Sequence, residues 1–420
     1  MLAAIGFIGL TAAPSAGESS PRQLPMAEPA TVGVDPQRLG YLERYIEKAV
    51  HNKDIPGAVL LVSRNGRVVL HEAYGIRDPA SGELMQKDAV FRIYSMSKAL
   101  TAAAGLRLIE RGALAMNGRL SDYLPDFADL RVLKTDQFDF RTDALATVEA
   151  DAPITIADLL RQSTGFAGNN FYPGYAGSLF RKAGIESDTL TLAEAAERTA
   201  KIPLVYQPGT TFSYAETNYN VLGRLLELSE NKPIADVMQA EIFGPLEMID
   251  SGFEVPLDKA DRLAQPFNKG TASEDGLFDP TKPRKFHPPA NGIVSTAADY
   301  WHFVQMLLDN GRGPDGSVLA PSTVDAMLSD NTSTLKPGSA DPMHLFQGWN
   351  WGLGLGVHDT DAPSFILAGR GQFGWVGAGS TMFIADRGRN LAGIIMLQQP
   401  EFLHGHVATL MTLVLQTATD

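Results

Sequence analysis

The chain has 420 residues, no cysteine and a formal net charge of −13 at pH 7. Without cysteine, thiolate catalysis, cysteine-ligated zinc and disulfides are excluded, and the acidic balance argues against nucleic acid or an anionic membrane surface as the main partner. With 44% hydrophobic and 20% charged residues, the composition is that of a globular protein with ample material for a core.

The first stretch, Met1 to Ala13, is apolar and uncharged. It is too short for a transmembrane helix, so no membrane span is expected. It reads as the core of a secretory signal, followed by a polar, Pro-rich linker to Val34, although no basic residue precedes Arg22. A signal peptide usually starts with a basic region. The expectation is a periplasmic or secreted protein, with a cytoplasmic protein carrying a disordered leader as the alternative.

Residues 35–50 read as an amphipathic helix with Asp35 as its cap and Pro36 in the first turn. Two strands then flank an Asn65-Gly66 hairpin turn. Next comes S-M-S-K-A-L-T-A-A-A-G-L-R-L-I-E-R-G, a helix opening on Ser95. From about 118 to 290, helical patterns alternate with Gly-, Pro- and aromatic-rich loops. A capped helix follows at S-T-A-A-D-Y-W-H-F-V-Q-M-L-L-D-N, stopped by Gly311. Strand signals return in W-G-L-G-L-G-V-H, Q-F-G-W-V-G-A-G-S-T-M-F-I-A-D and N-L-A-G-I-I-M-L-Q, and a helix from Val407 to Thr417 closes the chain. The economical architecture is α/β of the α+β type. One antiparallel sheet comes from both chain ends (35–117 and 291–420), flanked by helices, with a mostly helical region (118–290) beside it and a cleft between.

Ser95-Met-Ser-Lys98 carries the chemistry. Residues three apart share a helix face, so the Lys98 amine is placed to reach the Ser95 hydroxyl. A serine is a poor nucleophile until a positioned base takes its proton. A helix N-terminus also favours developing negative charge. Two further copies of the pattern exist, Ser229-Glu-Asn-Lys232 and Ser333-Thr-Leu-Lys336. Pro233 ends the first at once, and the second lies in a turn-rich stretch. Only Ser95 begins a long helix.

Several ordered blocks now accumulate: V-F-R-I-Y-S-M-S-K, L-S-D-Y-L-P-D-F, I-T-I-A-D-L-L-R-Q-S-T-G, P-G-T-T-F-S-Y-A-E-T-N-Y-N-V-L-G and F-G-W-V-G-A-G-S-T. From about Val59 to the C-terminus the chain resembles the serine β-lactamase and penicillin-binding-protein superfamily, closest to class C β-lactamases and family VIII carboxylesterases. The resemblance implies a β-lactamase-like fold, Ser95 as nucleophile, Lys98 as its activator and Tyr214 as the proton carrier to the leaving group. It implies an oxyanion hole from the backbone N–H groups of Ser95 and Ala378. It also implies no cofactor and no metal.

Two departures decide substrate. Glu216 stands where lactamase relatives usually carry Asn, and a carboxylate cannot donate a hydrogen bond to a substrate carbonyl. Glu216 is expected either to pair with Lys98 or to point to solvent, with Asn218 or Gln162 filling in. Trp375-Val-Gly377 stands where lactamases and D,D-peptidases carry Lys-Thr-Gly, so both handles for a substrate carboxylate are lost. Phe166, Phe171, Tyr172 and Tyr175 in a loop, and Trp349 and Trp351, are candidates to line an apolar pocket, with core packing equally open for each. Gly369-Arg-Gly-Gln-Phe-Gly374 matches a dinucleotide fingerprint but leads into a strand, and His404 and His406 are two apart on a helix, so neither is assigned a role. The function expected is a serine carboxylesterase acting on a small-molecule, uncharged or short-chain ester through an acyl-serine intermediate. The alternatives are a β-lactamase, a D-Ala-type peptidase or transacylase, or a non-catalytic penicillin-binding sensor. No residue pattern speaks to oligomeric state.

Overall fold

The computed structural model describes residues 23–134, 146–167, 174–267, 278–338, 348–360, 364, 366–399 and 404–419. Its frame is one sheet of eight strands. The N-terminal part supplies β1 (Gly57–Arg64), β2 (Arg67–Asp78) and β3 (Glu83–Leu84). The C-terminal part supplies β4 (Asn350–Trp351), β5 (Gly356–His358), β6 (Gln372–Val376), β7 (Met382–Asp386) and β8 (Leu391–Leu397). The order is β4-β5-β6-β7-β8-β1-β2-β3, and neighbouring strands run antiparallel throughout. The two chain ends meet where β1 pairs β8, from Ala58 opposite Leu397 to Arg64 opposite Leu391. At the β1–β2 hairpin, Asn65 (φ 53°) and Gly66 (φ 68°) are both left-handed, as a two-residue type I′ turn requires.

The helices that matter for the site are α1 (Pro36–His51), α2 (Ser97–Glu110), α3 (Glu216–Glu230), α4 (Ala297–Leu308) and α5 (His404–Leu415). Asp35 caps α1, accepting from the Gln37 and Arg38 backbone N–H groups. Successive strand residues point to opposite faces, so β8 shows which helix covers which side. Ala392 pairs with Ser63, whose hydroxyl accepts from the Trp301 indole of α4 at 2.7 Å. Its neighbour Gly393 has no room for a side chain, because a Cβ there would overlap Val414 of α5. Thus α4 and α5 cover opposite faces. Burial on both sides explains why β1 and β8, buried along their whole length, read as nearly unbroken apolar runs rather than alternating ones.

Between the two halves of the sheet the chain is dominated by helices. Two of them start with reciprocal capping boxes, Thr155 with Asp158 and Thr191 with Glu194. The longest, α3, packs against α2, where Gly105 faces Leu222. This is the α+β arrangement expected from the sequence, with helices α2 and α3 meeting beside the sheet. No helix among the described residues is long and apolar enough to cross a membrane.

Candidate active site

From residue 89 to residue 106 every side chain is buried except that of Ser95. The local backbone explains the exception. Ser95 does not open α2 itself. It sits in a 3₁₀ turn, Tyr94–Met96, that feeds the helix, and Tyr94 takes a left-handed φ of 45°. That conformation is uncommon for a residue with a side chain, and it presents Ser95 at the mouth of an otherwise enclosed segment. Burial pushes the Tyr94 phenol up to about 12, against the pull of Arg92. It therefore stays neutral beside Ser95 at ordinary pH.

Lys98 is fully buried on α2, an unusual place for a lysine. Its Nζ donates to Ser95 Oγ at 2.9 Å and to the Ala290 carbonyl at 3.1 Å. It also lies 4.8 Å from the centre of the Tyr214 ring. Neighbouring bonds hold α2 in place: Thr101 Oγ1 donates to the Pro289 carbonyl at 2.7 Å, and Ser97 Oγ accepts from Ile293 N–H at 3.3 Å. Tyr214 is also met by Trp375 on β6, whose indole N–H donates to the tyrosine hydroxyl at 3.1 Å. Trp351 on β4 packs against both rings, 5.6 Å from Tyr214 and 4.5 Å from Trp375, edge-on to each. Its own N–H donates to Leu160 O at 3.2 Å.

Behind Val376 the chain turns sharply at Gly377. The Gly377 N–H donates to Thr381 O at 2.8 Å, and Ser380 N–H returns to Gly377 O at 2.9 Å. A Cβ at Gly377 would overlap the Ile93 carbonyl and Thr381 Oγ1, so the position takes only glycine. Thr381 Oγ1 donates to that same Ile93 carbonyl at 3.3 Å, which staples this turn to the residue two before Ser95. Ala378 at the turn's tip is exposed, and its N–H donates to no group among the described residues. The Ser95 N–H precedes the first hydrogen bond of its 3₁₀ turn.

The α3 side is arranged differently. Gln162, fully buried with a left-handed φ of 63°, accepts through Oε1 from Ala215 N–H at 3.0 Å and from the Asn218 amide. Asn218 in turn accepts from Thr164 Oγ1 at 2.6 Å. Glu216 corrects both expectations made for it. Only 3% of it is exposed, so it does not point to solvent, and no ion pair joins it to Lys98. Its position explains this: Ala215 is extended (φ −148°, ψ 133°) and Glu216 begins α3. Its carboxyl is thereby carried into the protein, and Oε2 finds no hydrogen-bond donor.

The remaining candidates fall outside this group. The Phe166 ring is in the core, edge-on to Phe127 at 5.9 Å. Phe171 and Tyr172 lie outside the described residues, as does the leader. Trp349 is buried and stands edge-on to His358. The G-x-G-x-x-G run is a turn into β6, with Gly371 at φ 85°. His406 meets the Tyr45 hydroxyl at 3.0 Å. Among the described residues no cluster of acidic or histidine side chains is placed to hold a metal. Sequence reasoning did not anticipate the Ala290 carbonyl, Asn220 or the packing of Trp351 against Tyr214 and Trp375. A backbone carbonyl leaves no residue signature, but the Pro-Pro-Ala-Asn-Gly run at 288–292 marks an irregular backbone able to offer one.

A family model described as Beta-lactamase matches residues 42–416. Esterase EstB of Burkholderia gladioli is 26% identical over 381 residues, covering 84% of this chain and 89% of its own. Penicillin-binding protein 4 of Amycolatopsis lactamdurans is 27% identical over 366 residues, covering 81% of this chain and 85% of its own. The solved structure of EstCE1, described as a hydrolase with promiscuous acyltransferase activity, superposes with a TM-score of 0.71 at 22% identity over 91% of this chain and 99% of that one. The chain belongs to the β-lactamase family.

Proposed function

We propose that this β-lactamase-family protein is a serine carboxylesterase for uncharged esters, with Ser95, Lys98 and Tyr214 as its catalytic residues. The observation that carries this reading is the Trp375–Tyr214 hydrogen bond. The indole that meets the Tyr214 hydroxyl is neutral, at the position where a lactam- or peptide-cleaving relative offers an ammonium to a substrate carboxylate. An uncharged ester loses nothing by that exchange.

In this reading Ser95 Oγ attacks the ester carbonyl while Lys98, 2.9 Å away, takes the serine proton and relays it to Tyr214, replacing the one that Tyr214 gives the alcohol. The oxyanion is held by the backbone N–H groups of Ser95 and Ala378. As the carbon–oxygen bond to the alcohol breaks, Tyr214 hands the leaving alkoxide a proton, and the acyl group stays on Ser95. Water then attacks the acyl-serine, Tyr214 takes its proton, and Ser95 leaves with that proton returned. Trp375 and Trp351 fix the Tyr214 ring, so the hydroxyl needs no reorientation between the two halves of the cycle.

The second reading, turnover of a β-lactam or a D-Ala-type peptide or transfer to an acceptor alcohol, draws on the penicillin-binding relative. One experiment separates them: rates measured side by side on a short-chain ester, a long-chain ester, a cephalosporin and a D-Ala-D-Ala peptide. The carboxylesterase reading expects kcat/KM for the short-chain ester to exceed that for the cephalosporin and the peptide by about 100-fold or more. Comparable or faster lactam turnover contradicts it.

A further inference from the structure

The polar atoms left unpartnered near the Ser95–Lys98 pair are not scattered. Glu216 and Asn220 lie four residues apart on α3, on one face of the helix. That face is the one turned toward Lys98: Asn220 Oδ1 accepts from Ala290 N–H at 3.3 Å, and the carbonyl of the same residue accepts from Lys98. Asn220 is 4% exposed and Glu216 3%, yet Asn220 Nδ2 and Glu216 Oε2 have no partner. One is a donor, the other an acceptor. A buried polar atom left unpaired costs about 1–3 kcal/mol, and native proteins rarely keep two such atoms one helical turn apart without something that fills both.

The backbone points Glu216 at the reaction. Ala215 between Tyr214 and Glu216 is extended, and across an extended residue the flanking side chains project to the same side. Tyr214, which faces Lys98, is as deeply covered as Glu216, at 3%. Oε2 itself is closed to solvent, as is Asn220 Nδ2, so a substrate group reaches the pair only when the side chains covering it move aside.

We propose that Glu216 and Asn220 form a subsite for a hydroxyl group carried by the substrate close to its ester. A hydroxyl is the smallest group that donates and accepts through one atom: its O–H is given to Glu216 Oε2 and its lone pair accepts from Asn220 Nδ2. The carboxyl thus turns the enzyme toward hydroxylated esters, a preference that an amide at position 216 would weaken by offering a poorer acceptor. This subsite rests on the carboxylesterase reading above and adds the substrate class. The hydroxyl belongs to either the acyl or the alcohol side of the ester, and the test has an arm for each.

The acyl arm compares kcat/KM for methyl 2-hydroxypropionate, methyl 2-methoxypropionate and methyl propionate. The methoxy ester has the same inductive activation but no proton to donate. The alcohol arm compares 2-hydroxyethyl propionate with 2-methoxyethyl propionate. We expect the wild type to prefer the hydroxy over the methoxy ester by about ten- to a hundredfold in one arm, with Glu216→Ala bringing that ratio to within about twofold and Glu216→Gln giving an intermediate value. Ratios near one in both arms of the wild type, the result of an ordered water holding the subsite instead, overturn the proposal. So does a preference that survives unchanged in a folded Glu216→Ala protein, or in Glu216→Gln if the alanine variant does not fold. Ser95→Ala on methyl propionate separates the two levels: activity retained there sinks the esterase chemistry itself, whereas activity lost with flat ratios removes only the hydroxyl subsite.

Discussion

The two helices that meet beside the sheet build the two sides of the site by opposite rules. On the α2 side the hydrogen-bonding groups are matched: Lys98 has Ser95 and Ala290, Thr101 has Pro289, and Ser97 has Ile293. On the α3 side Gln162, Ser213, Glu216 and Asn220 each keep a buried atom without a partner. Matched groups have one low-energy arrangement, which suits bond-making geometry that must be ready before substrate arrives. Unmatched groups gain when a ligand or water supplies what they lack, which suits recognition. On the proposed reading the α2 side serves the chemistry and the α3 side the choice of substrate.

That contrast breaks most decisively at the nucleophile. Ser95→Ala should lower kcat/KM on a short-chain ester by about 10³-fold or more with an unchanged circular dichroism spectrum. Tyr214→Phe keeps the ring beside Lys98 and Trp351 but removes the proposed proton carrier, and a loss of about 10²- to 10³-fold in kcat is expected. A loss below about tenfold would move the proton transfer to another group.

The matched side has one soft point, and it sharpens the contrast through stability rather than rate. Asp299, near the start of α4, accepts from Asp250 N–H at 2.7 Å and from Ser251 Oγ at 2.9 Å. Ser251 also bonds Ser295 at 2.8 Å, and Ser295 pairs with Phe91 just ahead of the Ser95 turn. Burial pushes the Asp299 carboxyl up to about 7, outweighing those hydrogen bonds, which pull it down. Its folded value lies above its unfolded one, so this contribution to stability is fully present below about pH 4 and is lost as pH rises through 7. Asp299→Asn should therefore gain on the wild type by about 2 kcal/mol between pH 5 and pH 8, read from urea melts at both values. A constant difference across that range would show that the buried carboxyl does not titrate there.

The smallest effect is expected on specificity. Trp375→Lys restores a cation next to Tyr214 and should raise the rate on a carboxylate-bearing substrate relative to its methyl ester by about tenfold. An unchanged ratio would detach the esterase reading from the neutral indole.

Much of the fold was legible because it rests on local signals: an Asn-Gly turn, a capped helix, apolar runs at both chain ends. The helical setting that distinguishes one of three Ser-x-x-Lys copies was legible too. Asn231 at φ 49° ends α3 between Ser229 and Lys232, as Pro233 suggests. What escaped was set by distant partners. Ala290 reaches Lys98 across 192 residues, and no local pattern predicts which carbonyl a buried amine finds. The 3₁₀ turn at Ser95 depends on a left-handed tyrosine, a conformation that sequence preference argues against. Glu216 was misplaced for a similar reason: a carboxylate is expected in an ion pair or in water, and the extended Ala215 takes it to neither.

The central claim, that Ser95 is the acylated residue, is tested most directly by covalent trapping. The protein is treated with diethyl p-nitrophenyl phosphate, which transfers one diethylphosphoryl group to an activated serine and releases p-nitrophenolate, and is then digested and mapped by mass spectrometry. The account predicts a single adduct on the peptide containing Ser95, released nitrophenolate in about equal amount, and no adduct on Ser95→Ala. An adduct on another serine, or none on a protein that still hydrolyses esters, contradicts it.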